Sequence, residues 1–182
     1  MPARNSPVRY GSVAQFLHWA IVALLVVQVT LGKIADGLPV GIDRLITISR
    51  HKSFGITILG LAVIRIAWRW IDRPPPLPPM PRWQAIAARL NHWALYAMLF
   101  ALPITGWLMS SAANRPASWF GLVQLPDFIA PDAGLKELFE ETHETLVNVL
   151  FALAGLHIAA ALKHQFIDRD GLLLRMLPGK AP

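Results

Sequence analysis

The chain has 182 residues, 54% of them hydrophobic and only 15% charged, with a net charge of +6. That composition is too apolar for an ordinary soluble domain of this length. It contains no cysteine, which excludes disulfides, thiolate-held iron–sulfur clusters and covalent haem attachment.

Four apolar windows follow in chain order: Phe16–Leu31, Phe54–Trp70, Trp93–Met109 and Leu146–Leu162. Each approaches the roughly 20 residues needed to cross a bilayer. With their polar flanks they predict helices at about 14–32, 53–71, 89–110 and 143–165, within a single domain spanning 1–182. A soluble bundle would keep one polar face on every helix, whereas Ala20–Val27 and Phe151–Leu156 are apolar all round. The first window is not read as a secretory signal, because Gly32, Lys33, Ile34, Ala35 and Asp36 after it form no small-residue cleavage site and three spans follow. The expected fold is all-α, a bundle of four transmembrane helices.

Between the second and third windows, Pro74 to Pro81 places six prolines in eight positions, a stiff extended strap. Pro103 lies inside the third window and should kink it. The long loop from Ser110 to Thr142 ends in Leu135, Leu138 and Phe139 at helical spacing, the pattern of a short amphipathic surface helix running into helix four. Arg4, Arg9, Arg65, Arg69, Arg73, Arg82, Arg89, Lys163, Arg169, Arg175 and Lys180 fall on one side of the membrane, 11 of the 17 basic residues. The opposite side holds eight of the 11 acids. The positive-inside rule then puts both termini in the cytoplasm, and the basic excess needs no nucleic-acid partner.

The six histidines fall at two depths. His51 and His143 lie toward the outer side, and His18, His92 and His157 toward the cytoplasmic side, with His164 just beyond. His143 and His157 are fourteen residues apart, a rise of roughly 21 Å and nearly four whole turns, so both leave about the same face of helix four. Ionisable residues within a span are costly and point to function. Two imidazoles from facing helices are the axial ligands of a low-spin haem, so two levels suggest two stacked cofactors. His51 and His143 are the available outer pair, whereas His157 has either His18 or His92 as partner. Zinc is disfavoured, because its ligands usually cluster in one shell at short spacings. A proton relay through the histidines is conceivable but explains the matched levels less well. Arg65, fourteen residues after His51, shares its direction at the cytoplasmic level, where it would pair with haem propionates or snorkel to headgroups.

At these residues the chain resembles the bacterial cytochrome b561 family of dihaem membrane cytochromes. The resemblance rests on "RYGSVAQFLHW", "RHKSFGITIL", "ALPITGW", "HETLVNVLFALAGLHIAAALKH" and "LLRMLPGK" and covers nearly the whole chain. It implies one haem b between His18 and His157 and a second between His51 and His143. It also implies a bacterial inner-membrane location and electron transfer, with superoxide oxidase activity among similar members: superoxide oxidised at the periplasmic side and ubiquinone reduced. Lys33, Arg44, Arg50 and Lys52 form a basic outer fringe suited to a small anion, or simply solvated charge. His164, seven residues after His157, is placed to hydrogen-bond a quinone carbonyl. The competing readings are a haem-binding anchor subunit that passes electrons from a partner dehydrogenase or hydrogenase to quinone, and a non-redox membrane protein with structural histidines.

Overall fold

A computed structural model describes residues 2–179; Lys180, counted above in the basic tail, lies outside them. Four helices dominate: α1 (Ser12–Gly37), α2 (Ile42–Ile71), α3 (Arg82–Ala112) and α4 (Ala133–Lys163). Each is long and apolar enough to cross a membrane. In lipid every backbone N–H and C=O needs an internal partner, which a helix supplies without a neighbour. Side chains such as Val26, Ile64, Leu156 and Ile158 therefore stay exposed along the helix sides, where hydrocarbon is the solvent.

The helices extend well past the apolar windows. His51, His92 and His143 each lie nine or ten residues inside a helix rather than at its start. The amphipathic segment at Leu135–Phe139 is continuous with α4, whose start is capped by Asp132 accepting the Leu135 N–H at 2.8 Å. Pro103 sits within α3, where it cannot donate to the carbonyl one turn back.

Close backbone packing runs α1 on α2, α2 on α3 and α3 on α4. Helix α4 thus lies along α3 but stands off from α1 and α2, the helices that carry His18 and His51. Directly packed helices lie about 8–10 Å apart, so this looser approach leaves α4 facing its partners through side chains.

Both termini gather at one end of the bundle. Tyr10 N–H donates to the Arg175 carbonyl at 3.2 Å, and Arg9 donates to the carbonyls of Leu177 and Gly179. Arg175 reaches the Pro76 carbonyl at 2.9 Å, and Asn5 donates to both Asp72 and Arg73. The N-terminal arm, the proline strap and the tail form one hydrogen-bonded cap, and Trp19 Nε1 on α1 closes onto the Met176 carbonyl.

The opposite end carries a feature the sequence reading treats only as loop: a hairpin of β1 (Ser118–Trp119) and β2 (Val123–Gln124), with Trp119 opposite Val123. Its turn needs positive φ at Phe120 (52° at Asn114 nearby is similar; Phe120 itself is at 50°) and at Gly121 (73°). A left-handed phenylalanine costs roughly 1–2 kcal/mol. It is held by Ser53, whose Oγ accepts the Phe120 N–H at 3.0 Å, and by its ring against Phe54 at 5.3 Å. Ser53 is 1% exposed, so its hydroxyl has no water to replace these partners. Ser53→Ala should therefore release the hairpin at a cost of about 1–3 kcal/mol. Amide hydrogen exchange at Phe120 and its neighbours would rise by one to two orders of magnitude, while the helices keep their protection.

Candidate functional site

The facing histidines meet in two sets. At the hairpin end, His51 of α2 and His143 of α4 have ring centres 6.4 Å apart at 70°. Toward the termini, His18 of α1 and His157 of α4 stand 6.3 Å apart at 72°. His92 of α3 is also beside His157, but at 5.3 Å. A metal–imidazole bond of about 2.0 Å, plus the distance from nitrogen to ring centre, puts two trans imidazoles roughly 6.3 Å apart. The first two separations match that value, and the third is about 1 Å short of it.

Hydrogen bonds fix the protonation of the hairpin-end rings. His51 Nδ1 is 3.1 Å from the Gln28 carbonyl, which can only accept, so Nδ1 carries the proton. Its Nε2 is then the bare nitrogen and accepts from the Gln28 side-chain amide at 3.0 Å. The amide oxygen of the same Gln28 is buried with no partner. Gln28 therefore brings into α1 a polar group whose hydrogen bonding is incomplete, at the level of this histidine pair. His143 Nδ1 is 3.1 Å from Thr105 Oγ1 on α3. The glycines of α1 and α3 let both rings lie close to backbone: a Cβ on Gly32 would sit 3.5 Å from His51, and one on Gly106 would sit 3.4 Å from His143.

Arg65 lies at the level of His18. Its Nη1 donates to the Ala14 carbonyl at 2.9 Å, one turn before His18, and its guanidinium lies 6.0 Å from the Tyr96 ring. Arg69 stacks near Trp93 and Tyr96. Burial raises the Tyr10 hydroxyl above its ordinary pKa, and the positive charges of Arg69 and Arg65 oppose that shift.

His164 does not sit among basic residues alone. After α4 the chain makes one π turn (His164–Asp168), and Arg169 adopts a left-handed conformation at φ 54°, which folds Asp170 back on His164. His164 Nδ1 is 2.6 Å from Asp170 and 3.2 Å from Asp168, while Lys163 pairs with Asp168 at 2.5 Å. Gln165, Phe166, Arg169, Asp170, Gly171 and Leu174 line an open cavity of about 480 Å³ beside this cluster. Helical spacing of four residues puts Asp168 beside His164, but it could not reveal Asp170, because the reversal at Arg169 leaves the α-helical register.

With this geometry in view, comparison with known proteins is decisive. Residues 9–179 match the family model for prokaryotic cytochrome b561. The chain belongs to the prokaryotic cytochrome b561 family. It is similar to cytochrome b561 homolog 2 of Escherichia coli (strain K12), 38% identical over 190 residues, with 97% of this chain and 95% of that protein covered. Cytochrome b561 homolog 1 of the same strain is 32% identical, with 93% and 97% covered. A protein named probable superoxide oxidase CybB, from Yersinia pestis, is 30% identical, with 94% and 97% covered.

Family membership makes the chain a multi-pass inner-membrane electron-transfer protein and implies haem b. The side chains fit that group. They offer paired imidazoles at a separation that one iron between them would need, with Nε2 of His51 unprotonated and accepting from the Gln28 amide, and a fourth helix that stands off from the helices it faces.

The His164 cluster also sets a pH dependence. Burial pushes the Asp170 carboxyl upward, but the Leu172 N–H at 2.9 Å, the His164 hydrogen bond and the charges of His164 and Arg175 together hold it below the ordinary 3.8. A depressed folded-state pKa contributes stability that is present above the unfolded value and lost as pH falls through the folded one. The turn at 169–172 should therefore stay closed at neutral pH and open only below the usual carboxylate range. Amide exchange at Leu172, corrected for its intrinsic pH dependence, should show that acid opening in the native chain; in Asp170→Asn the turn should be open at every pH.

Proposed function

We propose that the chain is a dihaem cytochrome acting as a superoxide:ubiquinone oxidoreductase, with one haem b held by His18 and His157 and the other by His51 and His143. The observation that carries this reading is the pair of ring separations, 6.3 and 6.4 Å, at two levels fourteen residues apart along α4. When bound, haem b supplies a one-electron iron couple, and two of them spaced across the membrane link a donor at one surface to an acceptor at the other.

Both termini lie in the cytoplasm on this reading, so the hairpin end faces the periplasm. There Lys33, Arg44, Arg50 and Lys52 give a basic approach for superoxide, a small anion. The name of the Yersinia pestis relative supports that substrate. At the cytoplasmic level Arg65 offers its remaining guanidinium donors to the propionates of the haem between His18 and His157. His92 is left out of the pair that would hold this haem, because its ring, 5.3 Å from that of His157, is nearer than one iron between them would allow.

Ubiquinone reduction consumes protons as well as electrons, and His164 is placed to deliver them. Its Nδ1 is engaged by Asp170, which leaves Nε2 to address a quinone carbonyl. The neighbouring cavity falls within the roughly 300–1,000 Å³ range of small-molecule sites.

Purified protein should give reduced-minus-oxidised spectra of bis-histidine haem b at two haems per chain. His51→Ala and His143→Ala should each halve that ratio, as should His18→Ala, whereas His92→Ala should keep both haems. Loss of a haem from His92→Ala with retention in His18→Ala would reverse the assignment of ligands at the cytoplasmic level. Superoxide mixed rapidly with the oxidised protein should reduce the haems; an inert mixture would remove superoxide as the donor. His164→Ala should keep both haems and their reduction, yet slow reoxidation by a soluble ubiquinone analogue roughly tenfold or more. Reoxidation at the wild-type rate would end that role.

A further inference from the structure

The sharpest unassigned contact in the bundle is between α3 and α4, where Thr105 meets His143 one turn beyond the start of the "ALPITGW" segment. Thr105 Oγ1 has a single hydrogen and three neighbours: the carbonyls of Ala101 at 2.8 Å and Leu102 at 3.0 Å, and His143 Nδ1 at 3.1 Å. Carbonyls can only accept, so the hydroxyl hydrogen goes to one of them and a lone pair faces the ring. A lone pair 3.1 Å from a ring nitrogen is a favourable contact only if that nitrogen carries hydrogen. His143 is therefore held with Nδ1–H donating to Thr105 and with Nε2 bare.

His51 reaches the same state by another route, donating Nδ1–H to the Gln28 carbonyl at 3.1 Å. In both rings of the hairpin-end pair Nδ1 thus carries the proton and Nε2 does not, the Nε2 of His51 accepting from the Gln28 amide. The difference is that the His51 acceptor is main chain, which no substitution removes, whereas the His143 acceptor is a side chain. Acceptors on the far nitrogen of a ligating imidazole fix its orientation and raise its basicity. A more basic ligand favours the ferric over the ferrous iron.

From this we propose that Thr105 is a positioning residue for His143, fixing its tautomer and lowering the potential of the haem it ligates. The proposal rests on the dihaem assignment above, and the experiment separates the two. Optical redox titrations would compare wild type, Thr105→Val and Thr105→Ser. Valine keeps the shape of threonine and removes the acceptor; serine restores the hydroxyl.

In Thr105→Val the haem between His51 and His143 should become easier to reduce, by roughly three- to tenfold in its reduced-to-oxidised ratio at a fixed potential, tenfold being 59 mV for a one-electron couple. The haem between His18 and His157 should not move, and Thr105→Ser should return to the wild-type curve. Equal shifts of both haems, a serine variant that behaves like valine, or an unmoved titration with both haems retained would each overturn the proposal. Should the valine variant fail to assemble, pulsed EPR of the ferric wild-type protein decides instead. An exchangeable proton on the remote nitrogen of both axial imidazoles supports the assignment, and its lack on one of them overturns it. A wild-type protein with fewer than two haems would instead be a failure of the dihaem reading itself.

Discussion

Helix α4 meets α1 and α2 through side chains that cross a gap, and through backbone packing only with α3. This arrangement governs the remainder of the bundle. Apolar helices in lipid gain nothing from the hydrophobic effect by touching one another, so their placement depends on close packing and on polar contacts between them. Two histidines of α4 face one histidine each from α1 and α2, at nearly equal ring separations. Along α3, Thr105 and Gly106 bring the α3 backbone close against the His143 ring. α4 is thus fixed by small and polar residues on one side and by imidazoles on the other.

The two ends of the bundle are closed in different ways. At the terminal end, the arm, strap and tail exchange hydrogen bonds with main-chain carbonyls, among them those of Asp72, Arg73, Pro76, Arg175 and Leu177. Prolines cannot donate such bonds, but their carbonyls accept them, which suits a proline strap to a cap of arginine and asparagine donors. At the other end, the hairpin is pinned by Ser53 and Trp119, whose Nε1 donates to Thr57 Oγ1 at 3.0 Å. Ser53 and Thr57 are both on α2, within two turns of His51, so the hairpin and that histidine are carried by the same rigid element.

Two polar residues inside the bundle, Gln28 and Arg65, reach across to a histidine and to a helix end. Gln28 donates to one nitrogen of His51 and accepts from the other, leaving its own amide oxygen unpaired in the interior. An unpaired buried oxygen costs about 1–3 kcal/mol, a cost that an apolar residue at this position of α1 would not carry. Arg65 reaches the first turn of α1 and joins a cluster with Arg69, Tyr96 and Trp93. Basic and aromatic side chains gather at the membrane surface because their stems or rings favour the apolar zone while their polar tips favour water.

The number of spans was legible in the sequence, because hydropathy over some twenty residues is a local property. The common face of His143 and His157 was legible too, since fourteen residues close nearly four helical turns. Helix ends were less so: α2 and α3 run on through Ile42–Lys52 and Arg82–Ala88, where polar residues hide a helical backbone, whereas the spacing of Leu135, Leu138 and Phe139 did announce the start of α4. The hairpin escaped notice because a two-residue strand has no periodicity to read. Sequence offered His157 both His18 and His92, for "LHWAIV" and "NHWALY" are nearly alike. Their ring distances of 6.3 and 5.3 Å depend on how α1 and α3 pack, which no single helix encodes. The same holds for His164 with Asp170, joined by a left-handed turn at Arg169, and for Thr105 with His143, joined across two helices. The sequence by itself determined which residues lie at which depth, because that follows from the rise of one helix. Only the tertiary structure decided which of them meet, because meeting depends on the distance and rotation between helices.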